Sequence, residues 1–392
     1  MTPTCKVSKG LAFFFALLAT AVLFSECRAD DPISILSSLE PELLEAFSGD
    51  LEKNGFHVAF ERISDESLIP GLIRSPPADI PKPQLLYGVS TVLLCHLAEQ
   101  DLLDPCEPAW QGRLPVGLAD RERRWFGVFG DPITIIFNRS YFDEDLPLRF
   151  LPEGWEDLGT RTFRDSLIIE KPNHYNVTGY LFACLIDRAE QMYKDRDVGF
   201  DLLAAMDRNL LRTYNDSESL FYSPGSLFSG ERGVISVASL SQVDECVKEG
   251  KTADIVLPIE GLFLYPRGIA LLKGATEGAA EVYKALTDEN RLKRLSQNRN
   301  CYPLIFEENF AYSLFPGQRL FLDLFKTDHD SVARNIKTWI SRWQNTIHGR
   351  AKEKEIAIDD AVNTTMTFLV PLFIVIIIIT SRKKKTKKKG AR

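Results

Sequence analysis

From residue 33 onward, short apolar runs alternate with amphipathic stretches. Residues 33–36, "ISIL", read as a strand; Ser37 and Ser38 then stand at a helix N-cap, and apolar residues at helical spacing carry on to Leu51. A strand follows at 57–62, another in "QLLYGVS" at 84–90, and then a largely apolar helix from about 91 to 103. Strand, helix, strand, helix is the order of an α/β unit with a parallel sheet. The longest apolar strand region, "WFGVFGDPITIIFN" at 125–138, closes this unit. The Pro- and Gly-punctuated "DLPLRFLPEGWEDL" separates it from a second one, with a strand at 165–172, helices at 176–193 and 200–211, and a strand at 232–239. Residues 253–275 supply an extended pair, 276–296 one amphipathic helix, and 318–349 a closing helical region. Two such units joined by long extended connections predict two lobes with a cleft between them, where strand ends and helix N-termini gather.

Both ends depart from this pattern. Lys6 and Lys9 precede an apolar stretch at 11–24, and Cys27-Arg28-Ala29 ends on a small residue suited to cleavage, the layout of a secretory signal over residues 1–29. At the other end, residues 364–380 carry no charge and reach about 25 Å at ~1.5 Å per helical residue, the short end of a membrane span. Arg382, Lys383, Lys384, Lys385, Lys387, Lys388, Lys389 and Arg392 follow at once. By the positive-inside rule this tail is expected in the cytoplasm and the body of the chain outside the cell membrane.

Charge narrows the partner classes. The chain is −7 overall; eight basic residues in the tail and a net +2 over residues 1–29 leave −17 on residues 30–381. A nucleic-acid partner wants the opposite sign, so that class is set aside. Beyond the expected cut, Cys95, Cys106, Cys184, Cys246 and Cys301 show no CxxC or metal-ligand spacing. His57, His96, His174, His329 and His348 are scattered, with no HExxH or GxSxG, and nothing pairs a nucleophile with a base. An enzyme is not expected, and no cofactor is implied.

Several segments, taken in order, resemble those of a known family. After the first strand and the helix ending "EAF" come "PPADI", "LLYGVSTVLLCHLAEQDLLDP", "RRWFGVFGDPITIIFN", "EGWEDL", "LIIEKPNHYNVTGY", "SGERGVISVAS" and "LPIEGLFLYPRGIALLKGA". Together they are similar to the type 2 periplasmic solute-binding proteins of ABC importers, in the branch named for iron(III), phosphonate, polyamine or hexose phosphate. The resemblance implies a two-lobed α/β fold of periplasmic-binding-protein type II with a hinge, here with one C-terminal transmembrane helix. Residues 30–126 would begin lobe 1, 127–137 form a hinge strand, 138–256 make lobe 2, and 257–349 supply the other hinge strand and the rest of lobe 1. Residues 350–363 would be a juxtamembrane linker, 364–381 the membrane helix and 382–392 the basic tail. The implied function is closure around a small solute and delivery to an ABC permease with its ATPase.

Candidate binding residues follow from that geometry. Ser37 and Ser38 come after the first strand, Gly88, Ser90 and Thr91 after the third, and Thr178 and Gly179 open the helix after "EKPNHYNV". Each set offers hydroxyls or backbone N–H groups beside a helix start, where an oxyanion is favoured, and each equally fits an ordinary N-cap. Arg267, on the second hinge strand, could clamp a carboxylate, phosphate or phosphonate, or make a salt bridge. Asp131 on the first hinge strand could take an amine or turn the chain; His174 and Tyr175 could line the cleft or face solvent. Ferric-binding members of the family carry adjacent tyrosines after the "GE" strand, whereas Ser239, Leu240 and Ser241 stand here. An organic anion, phosphonate or sugar phosphate is therefore the favoured solute. Iron(III) and polyamines stay open, the latter through Asp131, Glu260 and Tyr265. The alternative functions are a ligand-sensing ectodomain reporting to a separate signalling partner and, after it, an enzyme on the same fold.

Overall fold

The computed structural model describes residues 32–350 apart from 65, 77–80, 139–150, 216–219, 222–226, 229–234, 252, 297–301, 306–310 and 313–319. The expected signal segment, the linker beyond residue 350, the membrane helix and the basic tail lie outside the described residues. Among the described residues no helix is long and apolar enough to cross a membrane.

The first half runs β1 (Ile33–Ser37), α1 (Pro41–Lys53), β2 (Val58–Arg62), a single 3-10 turn at Glu66–Leu68, α2 (Ile69–Arg74), β3 (Leu85–Ser90), α3 (Thr91–Glu99), β4 (Leu103–Asp104) and the long β5 (Trp125–Asn138). The second half runs β6 (Leu167–Glu170), α4 (Val177–Tyr193), α5 (Arg196–Asn209), β7 (Leu210–Tyr214), β8 (Ile235–Ser239), α6 (Leu240–Lys248) and β9 (Ala253–Val256). The chain returns through β10 (Phe263–Leu272), α7 (Glu277–Leu286), α8 (Glu289–Ser296), β11 (Tyr302–Pro303), the pair β12 (Ala311–Tyr312) and β13 (Leu320–Phe321), and α9 (His329–Arg342).

Strand order along the mixed sheet is β2-β1-β3-β10-β5-β8-β6-β7. β1 is parallel to β2 and β3, and β6 is parallel to β7 and β8. Between these sets, β5 and β10 run antiparallel to each other. The first residues of β5 pair with β10 and β11, while Ile133 to Asn138 pair with β8 and β9. All fourteen residues of β5 are buried. β5 thus belongs to both halves, pairing with β10 and β11 at its start and with β8 and β9 at its end.

Each half has its own core. In the first, Leu43, Phe47 and Leu51 of α1 and Val282, Tyr283 and Leu286 of α7 cover one face of the sheet with Tyr87 and Phe129. Leu93, Leu94 and Leu97 of α3 cover the other. In the second, Tyr180, Phe182 and Leu185 of α4 meet Phe200, Leu203 and Met206 of α5 over Ile169 and Ile235. Val243 and Cys246 of α6 cover the opposite face with Ile136 and Ile168. Burying such aliphatic and aromatic side chains contributes about 1.5–3 kcal/mol each.

Three segments differ from the sequence reading. The helix expected over 276–296 breaks at Thr287, whose hydroxyl bonds the carbonyls of Tyr283 (2.9 Å) and Lys284 (3.2 Å), and Asp288 restarts it by accepting from Arg291 N at 2.8 Å. The "LFLDLF" segment, expected helical, is extended at Leu320–Phe321, and Leu324 forms a parallel bridge to Leu262. Finally, residues 257–349 were expected to return to lobe 1, yet Val332, Ile336, Trp339 and Ile340 form a stripe on α9 that packs into the second-half core beside Phe182 and Trp343.

Candidate functional site

A cleft of about 280 Å³ lies between the halves, at the small end of ligand pockets. The first half supplies Ser38, Glu40, Arg62, Ser64, Glu66, Tyr265 and Arg267; the second supplies Glu170, Asn173, Tyr175, Asn176, Val177, Phe221, Gln242, Glu245 and Glu249. Five carboxylates therefore face two guanidinium groups.

Topology explains the gathering. β1 and β3 run parallel, so Ser38, just after β1, and Ser90, the last residue of β3 and the N-cap of α3, emerge at one edge. β5 and β10 bring Asp131 opposite Tyr265, with Arg267 two residues further along. β8 ends at Ser239, which starts α6 through a capping box with Gln242, and this helix carries Glu245 and Glu249 at its far end.

Arg267 is only 4% exposed. Its guanidinium donates to Ser38 O at 2.9 Å, to Glu40 Oε1 at 3.3 Å and to Asp131 Oδ2 at 3.3 Å, and stands 5.5 Å over the Tyr265 ring. Asp131, fully buried, also accepts from Ser241 N at 3.2 Å and from the Ser241 hydroxyl. Burial pushes the Asp131 carboxyl up to about 6 against the pull of Arg267, and the nearby Glu40 charge adds to the rise. The Ser241 hydroxyl lies 2.8 Å from Glu40 Oε1, a bond that joins the two halves, and Lys248 Nζ reaches across to Glu42 at 2.7 Å.

The helix starts are already occupied. Ser90 Oγ accepts from Leu93 N at 3.2 Å, and Ser90 N donates to the Glu66 carboxylate, 3.0 Å from each oxygen. Burial raises Glu66 to about 7, with the Ser38 hydroxyl, the Arg267 charge and the Ser90 bonds pulling the other way. Burial and the Glu40 charge also raise Glu245. At the start of α4, Asn176 Oδ1 accepts from Gly179 N at 2.9 Å and from Asn173 N at 3.1 Å.

Of the residues singled out from sequence, Ser38, Tyr175, Tyr265 and Arg267 line the cleft. Asp131, Ser90 and Ser239 lie directly behind its wall, bonded to Ser241, Glu66 and Gln242. The others hold the scaffold. Ser37 Oγ donates to Tyr87 O at 2.6 Å. Gly88 has φ +69° and lies against Leu39, and a Cβ on Gly179 would meet Asn173 O at 1.7 Å. Thr91 and Thr178 are buried, and His174 packs edge-on against Tyr175, its pKa lowered by burial and by His96. Glu260, considered for a polyamine, accepts instead from Trp155 N at 3.2 Å and Glu156 N at 3.4 Å. The lining residues that sequence reasoning missed are chiefly Glu40, Glu66, Glu170, Glu245 and Glu249. Glu40 left the clearest signal, a carboxylate two residues past Ser38 at the end of the first strand.

A family profile described as "Bacterial extracellular solute-binding protein" matches residues 80–322. No curated protein sequence matches the chain. Among solved structures, the periplasmic binding protein P5PA is similar at a TM-score of 0.64 and 15% identity, over 81% of this chain and 100% of that one. AfuA from Actinobacillus pleuropneumoniae, with exogenous fructose-6-phosphate bound, gives 0.63 at 15% identity over 81% and 99%. The Trichodesmium protein FutA, in complex with iron and citrate, gives 0.58 at 18% identity over 80% and 98%. At these identities the likeness is one of fold.

Proposed function

This chain belongs to the bacterial extracellular solute-binding proteins, and on that premise we propose that it is the capture subunit of an ABC importer, closing two lobes on a small solute that carries amino groups. The observation that carries the solute class is the charge of the cleft. Glu40, Glu66, Glu170, Glu245 and Glu249 line it, while Arg267 is already engaged by Ser38, Glu40 and Asp131, and Arg62 Nε donates to Leu39 O. A phosphate or carboxylate would enter against a negative wall. Ammonium groups would be drawn to a lining with more carboxylates than guanidinium groups, and Tyr175 and Tyr265 are residues whose rings attract cations. This reading turns from the organic anions favoured on sequence to the polyamine class left open there.

The apolar segment 364–381 and the basic tail 382–392 support a tethered receptor, its lobes outside the cell membrane and its tail within. Tethering keeps the local concentration beside a permease high without any new contact. The bonds from Ser241 to Glu40 and from Lys248 to Glu42 suit a closed state.

Thermal-shift measurements with putrescine, spermidine, inorganic phosphate, fructose 6-phosphate and ferric citrate test the solute class. The amines are expected to raise the melting temperature saturably and the anions to leave it unchanged. Stabilisation by a phosphate or by ferric citrate alone would overturn the reading.

A further inference from the structure

A strand end followed by a helix start is where an oxyanion is most readily held, because unpaired backbone N–H groups and the helix dipole both favour negative charge. The junction of β3 with α3 is such a place, and a carboxylate is there already. Glu66 is 6% exposed and lines the cleft. Ser90 N lies 3.0 Å from both of its oxygens. The Ser38 hydroxyl lies 2.6 Å from Oε1 and 2.9 Å from Gly88 O, with Arg267 Nη1 at 3.4 Å from the same hydroxyl. An N–H and a hydroxyl on one carboxylate, with a guanidinium placed behind the hydroxyl, are what a protein otherwise offers a bound carboxylate or phosphate.

We propose that Glu66 is the specificity-determining residue of the cleft: its carboxylate fills from within the oxyanion seat built by Ser90 N–H and Ser38, so that the site refuses anionic solutes and meets cationic ones. The inference rests on the amine reading given above. It goes further in assigning the discrimination to one side chain. Glu66 reaches the seat from the turn between β2 and α2, an element separate from the strands and helix that build it. Removing the side chain should therefore leave the seat standing and empty.

The experiment is chemical rescue on the full-length protein in mild detergent. Glu66→Ala deletes a group close in size to acetate. Acetate, then inorganic phosphate, is titrated into wild type and variant, with sodium chloride at matched ionic strength as control. The variant is expected to gain a saturable rise of about 2 °C when acetate reaches ten times its dissociation constant, and wild type none. An unfolded Glu66→Ala that acetate restores to a cooperative transition supports the same conclusion. Glu66→Gln, which keeps the volume and loses the charge, is expected to stay folded, to gain no anion response and to bind spermidine at least tenfold more weakly. The proposal is overturned if Glu66→Ala, folded or not, ignores acetate and phosphate, if wild type responds to them equally, or if Glu66→Gln binds spermidine as wild type does. A wild type that binds spermidine beside an anion-blind Glu66→Ala defeats this inference and leaves the amine reading intact. A wild type blind to amines beside an acetate-responsive variant defeats the amine reading and leaves the seat.

Discussion

Replacing Arg267 by methionine keeps a chain of similar reach and removes a guanidinium that is 4% exposed. The loss unpairs Asp131, fully buried, and Glu40, and leaves the Ser38 carbonyl without its 2.9 Å donor. Removing one partner of a buried ion pair typically costs about 3–5 kcal/mol. At roughly 2.1 cal/mol/K of unfolding entropy per residue, that lowers the melting temperature of a domain this long by about 5–7 °C. The loss depends on pH in a definite sense. Asp131 already titrates near 6 with Arg267 beside it, and without that charge its carboxyl rises further. At pH 5 it can hold its proton in both proteins, so the difference shrinks; at pH 8 wild type keeps a paired carboxylate and the variant must bury an unpaired one or take up a proton. Differential scanning calorimetry of both proteins at pH 5 and pH 8 reads this directly, and Asp131→Asn in the same chain should restore part of the loss. An unchanged melting temperature at pH 8, together with the disappearance of a phosphate-induced shift present in wild type, would instead make Arg267 a solute clamp.

Glu66 gives a second pH test. Its pKa, raised from 4.5 to about 7, means that the folded chain keeps a proton across this window that the unfolded chain has lost, so the stability this group confers is full below pH 4.5 and is lost as pH rises to about 7. Glu66→Gln should match wild type near pH 4.5 and be more stable by on the order of 3 kcal/mol at pH 8, measured by urea unfolding; a pH-independent difference would contradict the assignment. Amine capture should favour the ionised carboxylates, tightening from pH 5 to 7.5 with release of protons, which titration calorimetry in buffers of different ionisation enthalpy detects; proton uptake would oppose it. Gly179→Ala forces a Cβ to 1.7 Å from Asn173 O and should destabilise the protein by about 2–3 kcal/mol through backbone displacement, also by urea unfolding; a neutral effect would mean the α4 start is looser than described.

What the sequence made legible follows from the physics of each element. β5 and β10 were readable as strands because strands buried along their whole length are largely apolar; that they would form a hinge was implied by the resemblance alone. Ser38, Tyr175, Tyr265 and Arg267 were reachable because they stand near strand ends or on the long apolar strand at 263–272, places that local order and the resemblance together pick out. The acidic lining was not. Glu245 and Glu249 sit on and just past the amphipathic α6, where a carboxylate reads as a solvated face, and only the pairing of β8 with β5 sets that helix across from the start of α1. The helix starts were found but not their occupants, since Glu66 comes from a turn between β2 and α2 whose folding over Ser90 depends on tertiary packing. Arg267 was visible as a cation, yet its partners Glu40 and Asp131 lie far from it in sequence, so a counter-charge looked like a free clamp.

The most direct test of the central claim is a calorimetric titration of spermidine and, separately, fructose 6-phosphate into wild type and Glu245→Lys. Wild type is expected to take up spermidine saturably and one to one, the charge-reversed variant at least tenfold more weakly, and the sugar phosphate to give no heat. Uptake of fructose 6-phosphate by wild type without uptake of spermidine would contradict it.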